Sequence, residues 1–136
     1  MVPTILADAN IQGQVNHIVM LIRAGPWCEF WDGLSLQLAT FEDIGLSFDA
    51  PDSEVWQRCQ ERGIVLLTDN RNADGPDSLE AVIAAKSTAT SLPVVTIGNV
   101  KELNVSREYA DAVIEGLLDV IMRLDELRGT GRLFLP

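Results

Sequence analysis

Short apolar runs closed by turn-forming residues alternate along this chain with longer stretches of helical periodicity. Thr4-Ile5-Leu6-Ala7 runs into Asp8-Ala9-Asn10, which predicts a buried strand ending in a turn. Ile11, Val15, Ile18, Val19 and Ile22 then fall on one helical stripe, and Gly25-Pro26 stops that helix. Leu34, Leu36 and Leu38 alternate with Ser35 and Gln37, the period of a half-exposed strand. Pro51 opens a helix that turns Val55, Trp56 and Cys59 inward and ends near Gly63. Ile64-Val65-Leu66-Leu67-Thr68 reads as a second buried strand, closed by Asp69-Asn70. The loop from Arg71 to Pro76 leads to Asp77-Ser78-Leu79-Glu80, a capping arrangement with acids at both ends, and to a helix reaching about Ser87. Pro93-Val94-Val95-Thr96-Ile97 is a third buried strand. The last helix starts near Ser106, with Ala110, Val113, Ile114, Leu117, Leu118, Ile121 and Leu124 inward and Asp111, Glu115, Asp119 and Arg123 outward.

The order β-α-β-α-β-α-β-α, with continuous apolar strands, requires cover on both faces of the sheet. The expectation is an α/β protein of three layers, α/β/α, around a mainly parallel sheet. With no internal repeat, linker or low-complexity stretch, residues 1–136 form a single domain long enough to close a core. A hydrophobic fraction of 47% and a charged fraction of 22% are ordinary for a folded globular chain. The apolar runs fall well short of the roughly 20 residues of a membrane span, so no membrane association is expected. Met1-Val2-Pro3-Thr4 has neither the basic stretch nor the cleavage site of a signal peptide. Cys28 and Cys59 lack metal-ligand spacing, and a reduced, cytoplasmic setting is the simpler expectation.

Charge changes this picture. The net charge is −10, and nine acids lie between Glu42 and Asp77 against three bases, Arg58, Arg62 and Arg71. Such a surface repels polyanions unless cations intervene, because nucleic-acid affinity rests on neutralising phosphates. Two readings stay open: a solubilising acidic face, or carboxylates converging on a divalent cation.

Strand-end geometry favours a convergence. Ligands of open parallel sheets bind at the carboxyl ends of strands, where Asp8 and Asp69 stand. Asp52, one residue after Pro51, sits at a helix N-terminus on the same side. Mutual repulsion of three such carboxylates raises at least one pKa unless something positive lies between them. Hard oxygen donors suit Mg²⁺ or Mn²⁺ rather than zinc. Each acid alone has a plainer role: Asp8 as a cap or Asx turn, Asp52 on a helix dipole, Asp69 as a loop cap with Asn70. Asp74 and Asp77 suit turns and caps, and Glu42 and Asp43 suit solvent. The signal is the joint placement of Asp8, Asp52 and Asp69.

The segments Ile5-Leu6-Ala7-Asp8-Ala9-Asn10, Pro51-Asp52-Ser53-Glu54-Val55 and Val65-Leu66-Leu67-Thr68-Asp69-Asn70 resemble the PIN-like proteins, metal-dependent ribonucleases that include many bacterial toxins. Asp8, Asp52 and Asp69 match the family's acids in order, and the element succession matches over roughly residues 4 to 125. Asn70 and Asn72 stand where the family often carries carboxylates. Either the register shifts and Asp74 supplies the fourth acid, with Asp77 as the other candidate, or the site is weakened. The resemblance implies hydrolysis of RNA with Asp8, Asp52, Asp69 and Asp74 holding one or two Mg²⁺ or Mn²⁺ ions, which activate water and stabilise the departing oxygen. It gives Arg71 a phosphate contact, Asn10 or Asn72 the orienting of water or metal, and Thr68 a hydrogen bond to a carboxylate. It also implies a possible toxin role beside an antitoxin protein. Two other classes compete. One is the same fold kept as a binding module with little catalysis. The other is a phosphoacceptor receiver domain, for which Lys101, four residues after Ile97, is a poor match to the required lysine.

His17 is the single histidine, so no Ser/His/Asp or Cys/His arrangement is available, and it reads as a packing or surface residue. Gly129-Thr130-Gly131 lies at the tail rather than between strand and helix, so it is not a phosphate loop. Trp27, Phe30 and Trp31 cluster in what reads as one loop, either satellite core or a partner patch. The apolar tail Arg132-Leu133-Phe134-Leu135-Pro136 docks on the domain's own edge or on a second subunit of a homo-oligomer.

Overall fold

A computed structural model describes residues 3–136. Five strands form one sheet: β1 (Thr4–Ala7), β2 (Gln37–Ala39), β3 (Ile64–Thr68), β4 (Val94–Ile97) and β5 (Arg132–Leu135). Their order is β2-β1-β3-β4-β5, and every pairing is parallel. Five helices cover it: α1 (Gln12–Ala24), α2 (Cys28–Leu34), α3 (Asp52–Arg62), α4 (Leu79–Lys86) and α5 (Arg107–Met122). This is the three-layer α/β/α arrangement expected from the patterning.

Two cores lie on opposite faces of the sheet. Ile5, Ala7, Val65, Leu67, Val95 and Ile97 point to one face and pack with α1, α5 and Trp31 of α2. Leu6, Leu66 and Val94 point to the other and pack with Val55, Trp56 and Cys59 of α3 and Leu79, Val82 and Ile83 of α4. Strand side chains alternate, so a strand buried on both sides must be apolar at every position, as β3 and β4 nearly are. Each fully buried Ile or Leu contributes roughly 1.5–3 kcal/mol by transfer from water.

Three expectations need correction. Residues 34–38 are not a strand of period two: Leu34 ends α2, Ser35 takes a left-handed turn at φ 52°, and β2 begins only at Gln37. β2 is a short sheet edge with Leu38 40% exposed, so the leucine alternation records a helix end followed by an edge strand. Trp27, Phe30 and Trp31 do not share a loop, because Cys28–Leu34 is helical. Trp31 enters the core while Phe30 stays exposed. The β-α-β-α-β-α-β-α order therefore lacks one helix, α2, and one strand, β5. The tail is that fifth strand, paired to β4 from Val94↔Arg132 to Ile97↔Leu135, so it docks on the domain's own edge. Among the described residues, no helix is long and apolar enough to cross a membrane.

Candidate acidic site at the carboxyl edge of the sheet

The strand order reverses between β1 and β3, and there the loops leaving the two strands diverge toward opposite faces, opening a crevice. Asp8 and Asp69 follow those two strands directly. Asp8 Oδ1 accepts the Ala9 N–H at 2.8 Å, capping the 3-10 turn Ala9–Ile11, and its Oδ2 accepts the Thr68 hydroxyl at 2.6 Å. The capping role and the cluster role therefore coexist in one side chain, and Thr68 makes the carboxylate bond expected of it. Thr68 is fully buried.

Asp52 is the first residue of α3, yet its carboxylate serves another helix. Its Oδ2 accepts the Leu79 N–H at 3.1 Å, a free donor at the start of α4, and the Asn70 Nδ2 amide at 3.1 Å. The N-terminus of α4 is completed by Ser78, whose Oγ accepts the Ala81 N–H. Asp69 Oδ1 accepts the Asn10 Nδ2 amide at 3.1 Å, so Asn10 positions an acid.

The chain between β3 and α4 forms a ladder of period two. Thr68 Oγ1 accepts the Asn70 N–H, Asn70 Oδ1 accepts the Asn72 N–H, and Asn72 Oδ1 accepts the Asp74 N–H, at 2.9–3.0 Å. Small hydrogen-bonding side chains at alternate positions can each hold the backbone two residues on. This explains the two asparagines. A carboxylate could accept the same bonds, but only an amide can accept from Asn72 and also donate to Asp52.

Arg132, at the head of β5, anchors this loop from beneath. Its guanidinium donates to the Asn70 carbonyl at 2.9 Å, to Thr96 Oγ1 at 2.6 Å and to Glu80 at 2.9 Å, and its side chain is only 6% exposed. One guanidinium nitrogen, Nη2, is buried without a partner among the described residues. Arg132, Asn70, Thr68 and Asp8 thus form one connected run of hydrogen bonds, with Asp52 joined through Asn70.

Burial pushes the Asp8 carboxyl above its ordinary pKa. The bonds from Thr68 and Ala9 oppose that shift, and the charges of Asp52 and Asp69 add to it. The Cys59 thiol below, on α3, is pushed up to about 12 by burial and then by the Asp8 charge. Asp8, Asp52 and Asp69 are therefore brought together. Asp74 and Asp77 lie exposed on the loop and are not among the charges acting on Asp8. Arg71 and Asn72 are also exposed, and the Asn72 side-chain oxygen is committed within its own loop.

Among the described residues, no three His, Cys, Asp or Glu side chains form a ready cage for a cation. The donors present suit a more open site. Among the described residues, Asp52 Oδ1 and Asp69 Oδ2 receive no hydrogen bond, and Mg²⁺ commonly takes one or two carboxylates while keeping waters.

Sequence reading passed over Arg132 and Thr96, because a cation heading an apolar tail looks like a terminus until β5 pairs with β4. The ladder was legible in the spacing Thr68, Asn70, Asn72, Asp74. Fold and site together define a class: a doubly wound parallel α/β protein with carboxylates at its switch point. No family model, curated protein or solved structure matches the chain.

Proposed function

We propose that this chain is a cytoplasmic, PIN-like ribonuclease that hydrolyses RNA phosphodiester bonds with Mg²⁺ or Mn²⁺. One observation carries the reading: Asp8, Asp52 and Asp69, from three distant segments, converge at the switch point, and the charges of the other two act on a buried Asp8. Asp52 and Asp69 each keep a carboxylate oxygen free of hydrogen bonds among the described residues as a cation ligand, and Asp8 completes the set of three, held by Ala9 and Thr68. When bound, a divalent cation supplies Lewis-acid stabilisation of the phosphate and eases deprotonation of the attacking water. Asn10 holds Asp69 in place, Asn70 holds Asp52, and Thr68 holds Asp8. Arg71 meets the phosphate from the loop. Within this reading the resemblance extends to the toxin of a toxin–antitoxin pair, neutralised by an antitoxin protein.

A second reading, a binding module of the same fold with little catalysis, is favoured by the asparagine ladder, which fills the fourth acidic position with amides. Purified protein incubated with single-stranded RNA and Mg²⁺ or Mn²⁺ separates the two. Cleavage that falls at least about a hundredfold in Asp8→Asn and Asp69→Asn supports the ribonuclease. Cleavage unchanged in both variants overturns the site, and no cleavage by the wild type favours the binding module.

A further inference from the structure

Five of the ten Lys and Arg side chains make no ion pair among the described residues: Arg23, Arg62, Arg71, Lys86 and Lys101. Three of them have an evident role. Arg23, Arg62 and Lys86 lie in the last turns of α1, α3 and α4, where a cation complements the helix dipole. Helices that connect parallel strands run back against them, so these three lie at the far edge of the sheet from the acids. Arg71 and Lys101 lie instead at the carboxyl edge, with the acids. Arg71 comes from the loop after β3 and Lys101 from a short 3-10 turn, Val100–Asn104, after β4, and the two line one groove there.

That groove holds about 300 Å³, at the low end of the range for small-ligand sites. Asp69 forms one wall and is shared with the acidic cluster. Half-buried Val100 and exposed Asn99 also line it, the Asn99 backbone N–H being fixed on the Tyr109 hydroxyl at 2.8 Å. The side chains of Arg71, Asn99 and Lys101 make no hydrogen bond among the described residues, so their donors are free for a ligand. In a chain of net charge −10, two unpaired cations and a free amide against one carboxylate, Asp69, leave this small groove locally positive.

We propose that this groove binds a backbone phosphate of single-stranded RNA, adjoining the bond presented to Asp8, Asp52 and Asp69. Arg71 and Lys101 pair with the phosphate oxygens, the Asn99 amide donates to the phosphate or the ribose, and Val100 backs the sugar. The proposal rests on the ribonuclease reading, because it takes the shared wall, Asp69, as the point where the strand passes from groove to acids. It adds Lys101 and Asn99 to the site and gives the strand a direction, across the β3 and β4 loops rather than over β2.

The test is metal-free binding, which separates the groove from the chemistry. A fluorescent oligouridylate is titrated in EDTA against wild type, Arg71→Ala, Lys101→Ala, the double variant and Arg62→Ala, with circular dichroism to verify folding. Arg71→Ala and Lys101→Ala should each weaken binding about 3- to 10-fold. Each should flatten the dependence of log K on log salt by about 0.7, the increment of one lost single-strand phosphate contact. Arg62→Ala should change nothing. Asp69→Asn should tighten metal-free binding, because it removes a negative charge from the groove wall. Binding and salt slope that ignore both cations overturn the proposal. So does inorganic phosphate binding as tightly as the oligonucleotide, which makes this a free-phosphate site, or polyglutamate binding as tightly, which makes it an acidic-peptide site. Cation-dependent binding with no cleavage under any divalent metal upholds the groove and removes the nuclease reading. Acid-dependent cleavage with cation-independent binding does the reverse.

Discussion

Asp8 shows how one side chain can be both a structural cap and a source of instability. Its raised pKa means that the folded chain holds the Asp8 proton more tightly than the unfolded chain does. Ionised Asp8 therefore costs stability at pH above its raised folded value. The cost shrinks as pH falls through that value and is gone below the ordinary 3.8. Asp8→Asn should raise Tm by on the order of a few °C at pH 7, with little difference at pH 3. Thermal melts at the two pH values check both the sign and the window. Asn70 offers the converse change. Asn70→Asp removes the donor to Asp52 and sets a new carboxylate beside it, so the variant should melt several °C below wild type in EDTA. Added Mg²⁺ should recover more of that loss than it adds to wild type, as differential scanning fluorimetry would show. An equal or smaller Mg²⁺ response in the variant would count against a cation site beside Asp52.

Among the elements, β5 does most to complete the site while carrying none of its acids. It reaches β4 through the turn Gly129-Thr130-Gly131, in which both glycines adopt positive φ, 87° and 82°. A Cβ on Gly129 would lie 2.9 Å from the Ala89 carbonyl oxygen and 3.1 Å from the Ala89 Cα, both backbone atoms with little room to yield. Gly129→Ala should therefore cost about 1–3 kcal/mol, read as a lower urea midpoint. Because β5 delivers Arg132 to Asn70, the same variant should also weaken the Mg²⁺ response, whereas Gly13→Ala, on exposed helix surface with open space around it, should keep or slightly raise the urea midpoint and leave the Mg²⁺ response unchanged. The tail thus acts on the acids through hydrogen bonds that begin at the opposite end of the sequence.

The whole molecule carries a net charge of −10, and its carboxylates repel one another in the compact state. Raising NaCl from low ionic strength should raise Tm by screening that repulsion. Mg²⁺ at matched ionic strength should raise it further in wild type but not in Asp8→Asn or Asp69→Asn, because ligand linkage acts only through an intact site. Identical shifts with Na⁺ and Mg²⁺ in all three proteins would reduce the acids to a solubilising face.

The class of fold was legible because buried strands such as Ile64–Thr68 must be apolar on both faces and because Val15, Ile18 and Ile22 repeat at helical spacing. Asp8 and Asp69 were legible as edge residues because each directly follows such a strand. α2 was missed because its seven residues mix core and exposed aromatics, and β5 because the Gly129-Thr130-Gly131 turn before Arg132-Leu133-Phe134-Leu135 follows α5 and does not say that β4 is the strand's partner. By itself, then, the sequence determined where chain segments are apolar, where they turn, and which acids end the strands, since those are local properties of side-chain size and polarity. Only the tertiary structure decided the rest: that the tail joins the sheet, that Arg132 underpins Asn70, that Asp52 caps α4, and that Arg71 and Lys101 face one groove. These are pairings between residues 18 to 62 positions apart in groups such as Asn70–Asp52 and Arg132–Asn70, and no local pattern encodes the partner.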